Sequence, residues 1–583
     1  MKRCGVFVCH CGVNIAGTVD IPRVIAELNQ SPEVAYATDY QYMCSEPGQA
    51  LLTSAIQREK LDRVIVAACS PTMHETTFRK AAQRAGLNPY FCEIANIREQ
   101  DSWVHQGQPE AATRKAIALV RSMLAKAQLD EPLIPTTLPV VKRALVIGGG
   151  VAGLTTAIDI ADAGYPVLLV ERRPVLGGQL ARMDSLYLAG RGSLPFLPAE
   201  DLLSQKIHAV TTHRQIQVLT NTMVEAVSGY VGNFSVQLRP AAAGDPDGSA
   251  ELVRTEEVGA IVLATGYGLY DKRLLAEYGG GQCADVLDSL EFERLLRPDG
   301  PTGGRIVRHS DGQLAREVVW IQCAGSRDPE LHKPYCSKIC CMYVAKQAMR
   351  YKERMPDGQA YVFYIDIRSP GKGYEEFVQR AMSEYGVLYL RGKVARVFSQ
   401  GEKTVVWGVD TLSGHQVEVA ADLVVLASAA VPAEGADQLA KVLRVATDEN
   451  GFFAEAHPKL RPVESLTAGI FLAGAAQFPK DIPETVAQAS GAAAKVLALF
   501  AQPALSQDPI IAEVDEEICA GCGLCVQACP YDARTLRTWR PVATVNVALC
   551  QGCGACAVVC PNKASQVKNL TARQVMEMVE ELL

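Results

Sequence analysis

The stretch Arg143–Glu171 reads RALVIGGGVAGLTTAIDIADAGYPVLLVE, and it decides the fold. Ala144–Ile147 is an apolar run long enough for one buried strand, and it leads straight into Gly148, Gly150 and Gly153, a G-x-G-x-x-G turn. Leu154–Ala163 has the apolar spacing of a helix, Gly164 ends it, and Val167–Val170 reads as a second strand closed by Glu171. The acid falls 21 positions after Gly150, which completes a βαβ unit. Glycines there let backbone N–H groups approach a pyrophosphate, the helix N-terminus favours its charge, and the acid accepts from a ribose hydroxyl. A glycine turn alone is only a tight strand–helix connection. With the strand, the helix and the acid in place, the pattern predicts a dinucleotide site contacted by Gly148, Gly150, Val151, Ala152, Gly153 and Glu171.

Working toward the C-terminus, Arg172 follows the acid, and Gly177-Gly178-Gln179 offers small residues where the chain can pass close to a cofactor. Residues 215–240 alternate polar and apolar, which predicts antiparallel strands, and Ala241–Ala250 (AAAGDPDGSA) reads as a solvated loop. Gly259–Ala264 is a buried strand entering a second glycine turn at Thr265-Gly266. Gly469–Gly474 is another strand–glycine turn, followed by the proline-led helix PKDIPETVAQASGAAAKVLALF. Such a turn can meet a flavin from the far side of the first fingerprint; its plainer reading is an ordinary strand–helix connection. Further cofactor contacts are expected at Arg172, Gly178, Gln179, Ala264, Thr265, Gly266, Gly474 and Ile482.

A reductase with two dinucleotide sites would show a second G-x-G-x-x-G after a strand near residue 320. The strand is there, Val318–Ile321, but the turn is Gln322-Cys323-Ala324-Gly325-Ser326. In place of the glycines stand Cys323, Cys336, Cys340 and Cys341. Ser337–Met355 reads as a helix, which would set Cys336 and Cys340 on one face, one turn apart. Four thiolates near one helix start make a plausible tetrathiolate site, and zinc competes on ligand type. Residues 361–430 alternate short strands with one helix, Tyr374–Tyr385, and end in the buried strand Leu423–Leu426.

The C-terminal motif is the most specific. Cys519-x2-Cys522-x2-Cys525-x3-Cys529-Pro530 recurs as Cys550-x2-Cys553-x2-Cys556-x3-Cys560-Pro561. In such a two-cluster ferredoxin run the fourth cysteine serves the other cluster. Cys519, Cys522, Cys525 and Cys560 are thus expected to hold one [4Fe–4S] cluster, and Cys550, Cys553, Cys556 and Cys529 the other. Leu570–Leu583 reads as a terminal amphipathic helix.

Toward the N-terminus, residues 1–130 read as a small α/β domain. Strands at Gly5–Val8 and Arg63–Ala67 end in Cys9-His10-Cys11-Gly12 and Cys69-Ser70-Pro71, and Cys44 lies in a turn-like MCSEPGQ before a helical pattern over Gln49–Arg58. Cys9, Cys11, Cys44 and Cys69 could converge on one iron–sulfur cluster or be small buried hydrophobes. Cys4 and Cys92 read as structural, and His10 and His74 as polar loop residues. Ala111–Gln128 has helical periodicity, and the proline-bearing segment 131–142 is expected to be a linker.

Bulk properties agree. A chain of 583 residues holds roughly three or four domains. Its net charge is −7 with no basic stripe, which argues against nucleic acid. MKRCGVFVCHCG is too short and too rich in Cys and His for a signal peptide, and no apolar run is long enough for a membrane span, so a cytoplasmic protein is expected. Nineteen cysteines then argue for metal-binding thiolates, not disulfides.

Together these motifs make the chain resemble the A subunit of heterodisulfide reductase over nearly its whole length. The stretches that carry the resemblance are FVCHCGVNIAGTVD, YMCSEPGQ, AACSPTMHETTF, IANIREQ, SWVHQ, LVIGGGVAGL, QCAGSRD with PYCSKICCMY, GKGYEE and QFPKDIPETVAQASGAA. The resemblance implies an α/β protein with a thioredoxin-reductase-like Rossmann flavoprotein core that binds FAD. The core spans 143–505, with a cluster-bearing half at about 270–430. It is flanked by the N-terminal α/β cluster domain and a ferredoxin domain with two [4Fe–4S] clusters at 506–583. The resemblance also implies a [4Fe–4S] cluster at Cys323, Cys336, Cys340 and Cys341, and another in the N-terminal domain at Cys9, Cys11, Cys44 and Cys69. Two departures stand out. The family carries a cysteine before SWVH where this chain has Asp101. Methanogen members carry an inserted ferredoxin after a GYVGNF-like segment, where this chain has only a short loop.

The function implied is electron transfer by an oxidoreductase subunit, with flavin-based bifurcation at the FAD and Lys480 near the flavin ring. A non-bifurcating conduit to a quinone-linked or acyl-CoA-reducing complex is the alternative. A stand-alone NAD(P)H disulfide reductase would need a nicotinamide fingerprint and a redox cysteine pair at the flavin, and neither is clear. Expected partners are B- and C-like heterodisulfide reductase subunits, a hydrogenase, formate or NADH module, and ferredoxin, in a hetero-oligomer built on a homodimer.

Overall fold

The computed structural model describes residues 2–187, 196–241 and 254–583. Most of the expected 241–250 loop, from 242 onward, lies outside the described residues. The chain forms two compact units, one of Met1–Leu138 with Leu505–Leu583, the other of Pro139–Ala504.

In the first unit, four strands form a parallel sheet in the order Val34–Tyr40, Cys4–Cys9, Arg63–Ala68, Cys92–Asn96. The two inner strands are buried throughout, as expected for a parallel sheet covered on both faces by helices. Ligand sites of such sheets gather at the C-terminal strand ends. Cys9, Cys11, Cys44 and Cys69 all follow strands there, whereas Cys4 and Cys92 open strands at the opposite end. Burial pushes the thiols of Cys4 and Cys92 up to about 11 and about 12, which suits inert core residues. His74 departs from expectation: it lies within the helix Pro71–Arg84, edge-on to Phe78, because Pro71 opens a helix there.

The ferredoxin region of this unit is two small ribbons, Ala512–Val514 with Ser565–Val567 and Arg534–Leu536 with Ala543–Val545, plus one-turn helices at Leu524–Gln527 and Ala555–Val558. The terminal helix Ala572–Glu580 packs against the helix Pro109–Gln128, where Ser122 Oγ donates to Met578 O at 3.0 Å. A buried polar knot adds to this contact. Lys126 bonds both Glu93 (2.8 Å) and Asp130 (2.9 Å), and Gln574 Nε2 donates to Asp130 (2.9 Å). Some of the expected linker is ordered as well: Thr136–Leu138 pairs antiparallel with Leu505–Gln507.

The second unit contains two parallel sheets of five strands. The first runs Ile216–Leu219, Val167–Val170, Ala144–Ile147, Ala260–Leu263, Ile470–Leu472. Ile216–Leu219 is therefore a parallel edge strand rather than a member of an antiparallel set; only Thr222–Tyr230, Asn233–Pro240 and Arg254–Val258 form the antiparallel sheet. Its half-exposed alternation is that of an edge, which period-two reading cannot distinguish from a hairpin. The second parallel sheet runs Val286–Asp288, Leu423–Ser428, Glu317–Ala324, Gln359–Tyr364, Leu388–Arg391. The helix Cys340–Arg354 connects its third and fourth strands. Among the described residues no helix is long and apolar enough to cross a membrane.

Candidate functional site

A cleft of about 860 Å³ opens at the C-terminal ends of the first sheet. Gly148, Gly150, Val151, Ala152, Glu171, Arg172, Gly178, Gln179, Ala264, Thr265, Gly266, Lys480 and Ile482 all line it. Gly148 turns the chain at φ 113°, and a Cβ there would meet Ala264 O at 2.4 Å. At Gly150 a Cβ would meet only Gly178 Cα, at 3.8 Å, so the backbone is bare toward the cleft and free for close approach of a ligand. The helix Val151–Asp162 starts at that point and aims its N-terminal amides the same way. Gly153 and Gly474 stand behind this lining. A Cβ on Gly153 would lie 1.8 Å from Gly148 O, and one on Gly474 would lie 2.9 Å from Ala152 Cβ, so both serve close packing of the turn.

Glu171 is buried, and its carboxylate accepts from the Gly149 amide at 2.6 Å and the Arg173 amide at 2.8 Å. It ties the glycine loop to the second strand and keeps lone pairs for a ribose hydroxyl. Thr265 Oγ1 is buried in the cleft wall with no partner among the described residues, an orphaned group of the kind a bound cofactor satisfies. Lys480 Nζ donates to Gln477 Oε1 at 2.8 Å and Phe478 O at 3.2 Å. Burial lowers its pKa to about 8, with Glu455 and Glu484 pulling the other way.

The cleft floor holds a pair that sequence reading missed. Lys346 Nζ meets Glu293 Oε1 at 2.7 Å and donates to Ser185 O at 2.9 Å; both side chains are almost wholly buried. Glu293 also accepts from Gln347 Nε2 (2.8 Å) and the Asp184 amide (2.9 Å). The signal in the sequence was a Lys-Gln pair inside an otherwise apolar helix face, Val344-Ala345-Lys346-Gln347-Ala348-Met349. Its partner lies 53 residues earlier, beyond the reach of local patterns.

The helix that carries Lys346 also carries thiols. It starts at Cys340, three residues later than expected, because Lys338 adopts φ 66° and breaks the turn before it. Cys336 therefore lies in the preceding loop and not one turn from Cys340 on a shared helical face. Tertiary structure still gathers the set: Cys323, Cys336 and Cys341 each raise the Cys340 thiol, after burial as the main cause. Backbone amides of Lys338 and Arg368 donate to the Cys336 and Cys341 sulfurs, both at 3.3 Å.

The other thiol sets show the same pattern. Cys9 accepts from the Cys11 and Met43 amides at 3.3 and 3.4 Å, and Cys11 from the Arg98 guanidinium at 3.1 Å. Cys11 and Cys44 raise the Cys9 thiol, and Cys11 and Cys9 raise that of Cys69. In the ferredoxin region, Cys519, Cys522, Cys525 and Cys560 line one cavity, and Cys529, Cys550, Cys553 and Cys556 line another. Amides of Ala543, Ser565, Ala533 and Ala512 donate to Cys519, Cys560, Cys529 and Cys550 at 3.3–3.5 Å. Amide donors aimed at sulfur stabilise thiolate ligands and set cluster potentials. Among the described residues no three His, Cys, Asp or Glu side chains converge as tightly as a single metal ion requires.

A dinucleotide cleft beside a thiol-bearing helix, in a chain that ends in a repeated four-cysteine motif, defines a flavin- and iron–sulfur-dependent oxidoreductase. The family models agree: an FAD dependent oxidoreductase model matches 144–228, and a 4Fe-4S binding domain model matches 512–535 and 543–565. The chain belongs to the A-subunit family of heterodisulfide reductase. It is 42% identical to the second of two iron–sulfur A subunits of CoB–CoM heterodisulfide reductase in Methanopyrus kandleri, over 91% of this chain and 90% of that one. It is 40% identical to the A subunit of the H2:CoB-CoM heterodisulfide,ferredoxin reductase of Methanothermobacter thermautotrophicus, with the same coverage. The first of the M. kandleri A subunits is 39% identical over 100% of this chain and 98% of its own. Among solved structures, T. acidophilum thioredoxin reductase aligns over 62% of this chain and 99% of its own, at 16% identity and a TM-score of 0.41.

Proposed function

We propose that this chain is the flavin-based electron-bifurcating subunit of a heterodisulfide-reductase-like complex. In this reading FAD fills the cleft, and four [4Fe–4S] clusters sit at the four thiol sets. FAD interconverts two-electron and one-electron transfer, and iron–sulfur clusters carry single electrons. The observation that supports this best is the helix Cys340–Arg354. Its first turn presents Cys340 and Cys341 to the thiol site, and its next turns present Tyr343, Lys346 and Gln347 to the cleft. Six helical residues separate Cys340 from Lys346, about 9 Å of rise. One rigid element thus sets the spacing between the two centres.

The protein's own groups supply placement and charge. Gly148 and Gly150 expose backbone amides to the pyrophosphate, and Glu171 accepts from the ribose. The Lys346 ammonium, anchored by Glu293, offers a proton donor and a fixed positive charge at the cleft floor. Lys480 adds a second cation whose proton is held weakly near neutral pH. The partners in this reading are B- and C-like redox subunits, a hydrogenase, formate or NADH module, and ferredoxin, around a homodimer of this chain. The names of relatives that couple heterodisulfide and ferredoxin support it. After anaerobic purification, iron and flavin analysis is expected to give about one FAD and sixteen iron per chain. Eight iron would remove both clusters outside the ferredoxin region.

A conduit without bifurcation is favoured by one feature. Only 13 residues separate Pro240 from Arg254, so the inserted ferredoxin of methanogen members is missing. Co-purification from the native host separates the readings: a hydrogenase, formate or NADH module supports bifurcation, and a quinone-reactive or acyl-CoA-reducing subunit supports the conduit.

A further inference from the structure

The ferredoxin region contains a cation that the cysteine motif does not require. Arg534 is 2% exposed and lines both thiol cavities, the one bounded by Cys519, Cys522, Cys525 and Cys560 and the one bounded by Cys529, Cys550, Cys553 and Cys556. Its backbone is fixed in the ribbon with Ala543–Val545, where it pairs with Val545. Its Nη2 donates to Ser565 Oγ at 3.0 Å, while Nε and Nη1 are buried with no partner among the described residues. A guanidinium removed from water with most of its donors unmet is costly unless negative charge and acceptors compensate it. Thiolate-bound iron–sulfur clusters supply both, as anions with acceptor sulfurs.

We propose that Arg534 is a shared redox-tuning residue: its free N–H groups donate to sulfurs of both clusters of the ferredoxin region, and its charge raises both reduction potentials together. This rests on the reading that the two cavities hold [4Fe–4S] clusters. An added electron makes a cluster more negative, so a fixed cation at its wall favours the reduced form. Because one side chain borders both cavities, its effect falls on the two clusters as a pair.

The test is an EPR-monitored redox titration of the anaerobically purified full chain, comparing wild type with Arg534→Met and Arg534→Lys. Cys522→Ser and Cys553→Ser variants identify the two signals that belong to these cavities. In Arg534→Met both signals are expected at lower potential than in wild type, with Arg534→Lys between, and the remaining signals unmoved. Wild-type potentials for either signal in Arg534→Met, with iron retained, would overturn the shared role. Should Arg534→Met lose iron, hyperfine spectroscopy of wild type labelled with 15N-arginine decides: coupling to both reduced clusters is expected, and its absence at either overturns the proposal. If Cys522→Ser and Cys553→Ser remove neither iron nor a signal, the cluster reading itself fails, a result distinct from an unshifted potential.

Discussion

The two parallel sheets of the larger unit place different chemistry at the same topological point. In the first, the strand Ala144–Ile147 reaches a helix at Val151 through three glycines. In the second, the strand Glu317–Ala324 reaches its helix at Cys340 through fifteen residues that bring in Cys336. Both use the end of an inner strand and the start of a crossover helix, where ligands of α/β sheets gather. The short connection leaves bare backbone for a phosphate. The long one carries side chains inward, with Cys323 at φ 58° and Lys338 at φ 66° bending the chain toward the thiol site. The fold thus fixes where a cofactor can sit, and loop length and side-chain size fix which kind.

The two halves meet at the cleft floor, and the largest expected effect lies there. Lys346→Met leaves Glu293 charged and buried without its partner, and is expected to cost about 3–5 kcal/mol. Thermal unfolding monitored by flavin absorbance checks it; an unchanged Tm would mean the halves are not joined through this pair. Next comes Gly148→Ala, which forces a Cβ into Ala264 O at a φ of 113°. It is expected to cost about 1–3 kcal/mol and to lower flavin content, while leaving the iron content of the second half intact. Cys340→Ala is the converse. It is expected to remove about four of some sixteen iron per chain while flavin stays near one. Loss of flavin together with that iron would show that the halves do not load independently.

The smallest effect concerns Lys480, whose burial holds its pKa at about 8 against an ordinary 10.5. Its folded pKa is depressed, so the charged form is the costly one, and folded stability rises with pH between about 8 and 10.5 as the folded state sheds that proton first. Over the same onset the cleft loses a cation, so the flavin midpoint potential is expected to fall more steeply with pH above about 8 than below it. Lys480→Met is expected to abolish that break; a break that persists in the variant would assign it to another group.

What the sequence by itself determined was chemistry written in contiguous residues: the strand–glycine–helix unit around Gly148, the acid at Glu171, and the repeated cysteine spacing from Cys519 to Cys560. Each depends on local backbone geometry, which a few neighbouring residues set. Local reading slipped where a single dihedral intervened, as when Lys338 delayed the helix and took Cys336 off it, or where an edge strand at Ile216–Leu219 imitated a hairpin. Only the tertiary structure decided which distant groups meet: Glu293 with Lys346, the terminal helix Ala572–Glu580 with Pro109–Gln128, and Arg534 with the walls of two thiol cavities. Buried polar groups must find partners wherever the topology delivers them. That delivery depends on strand order and chain crossings, which no local pattern records.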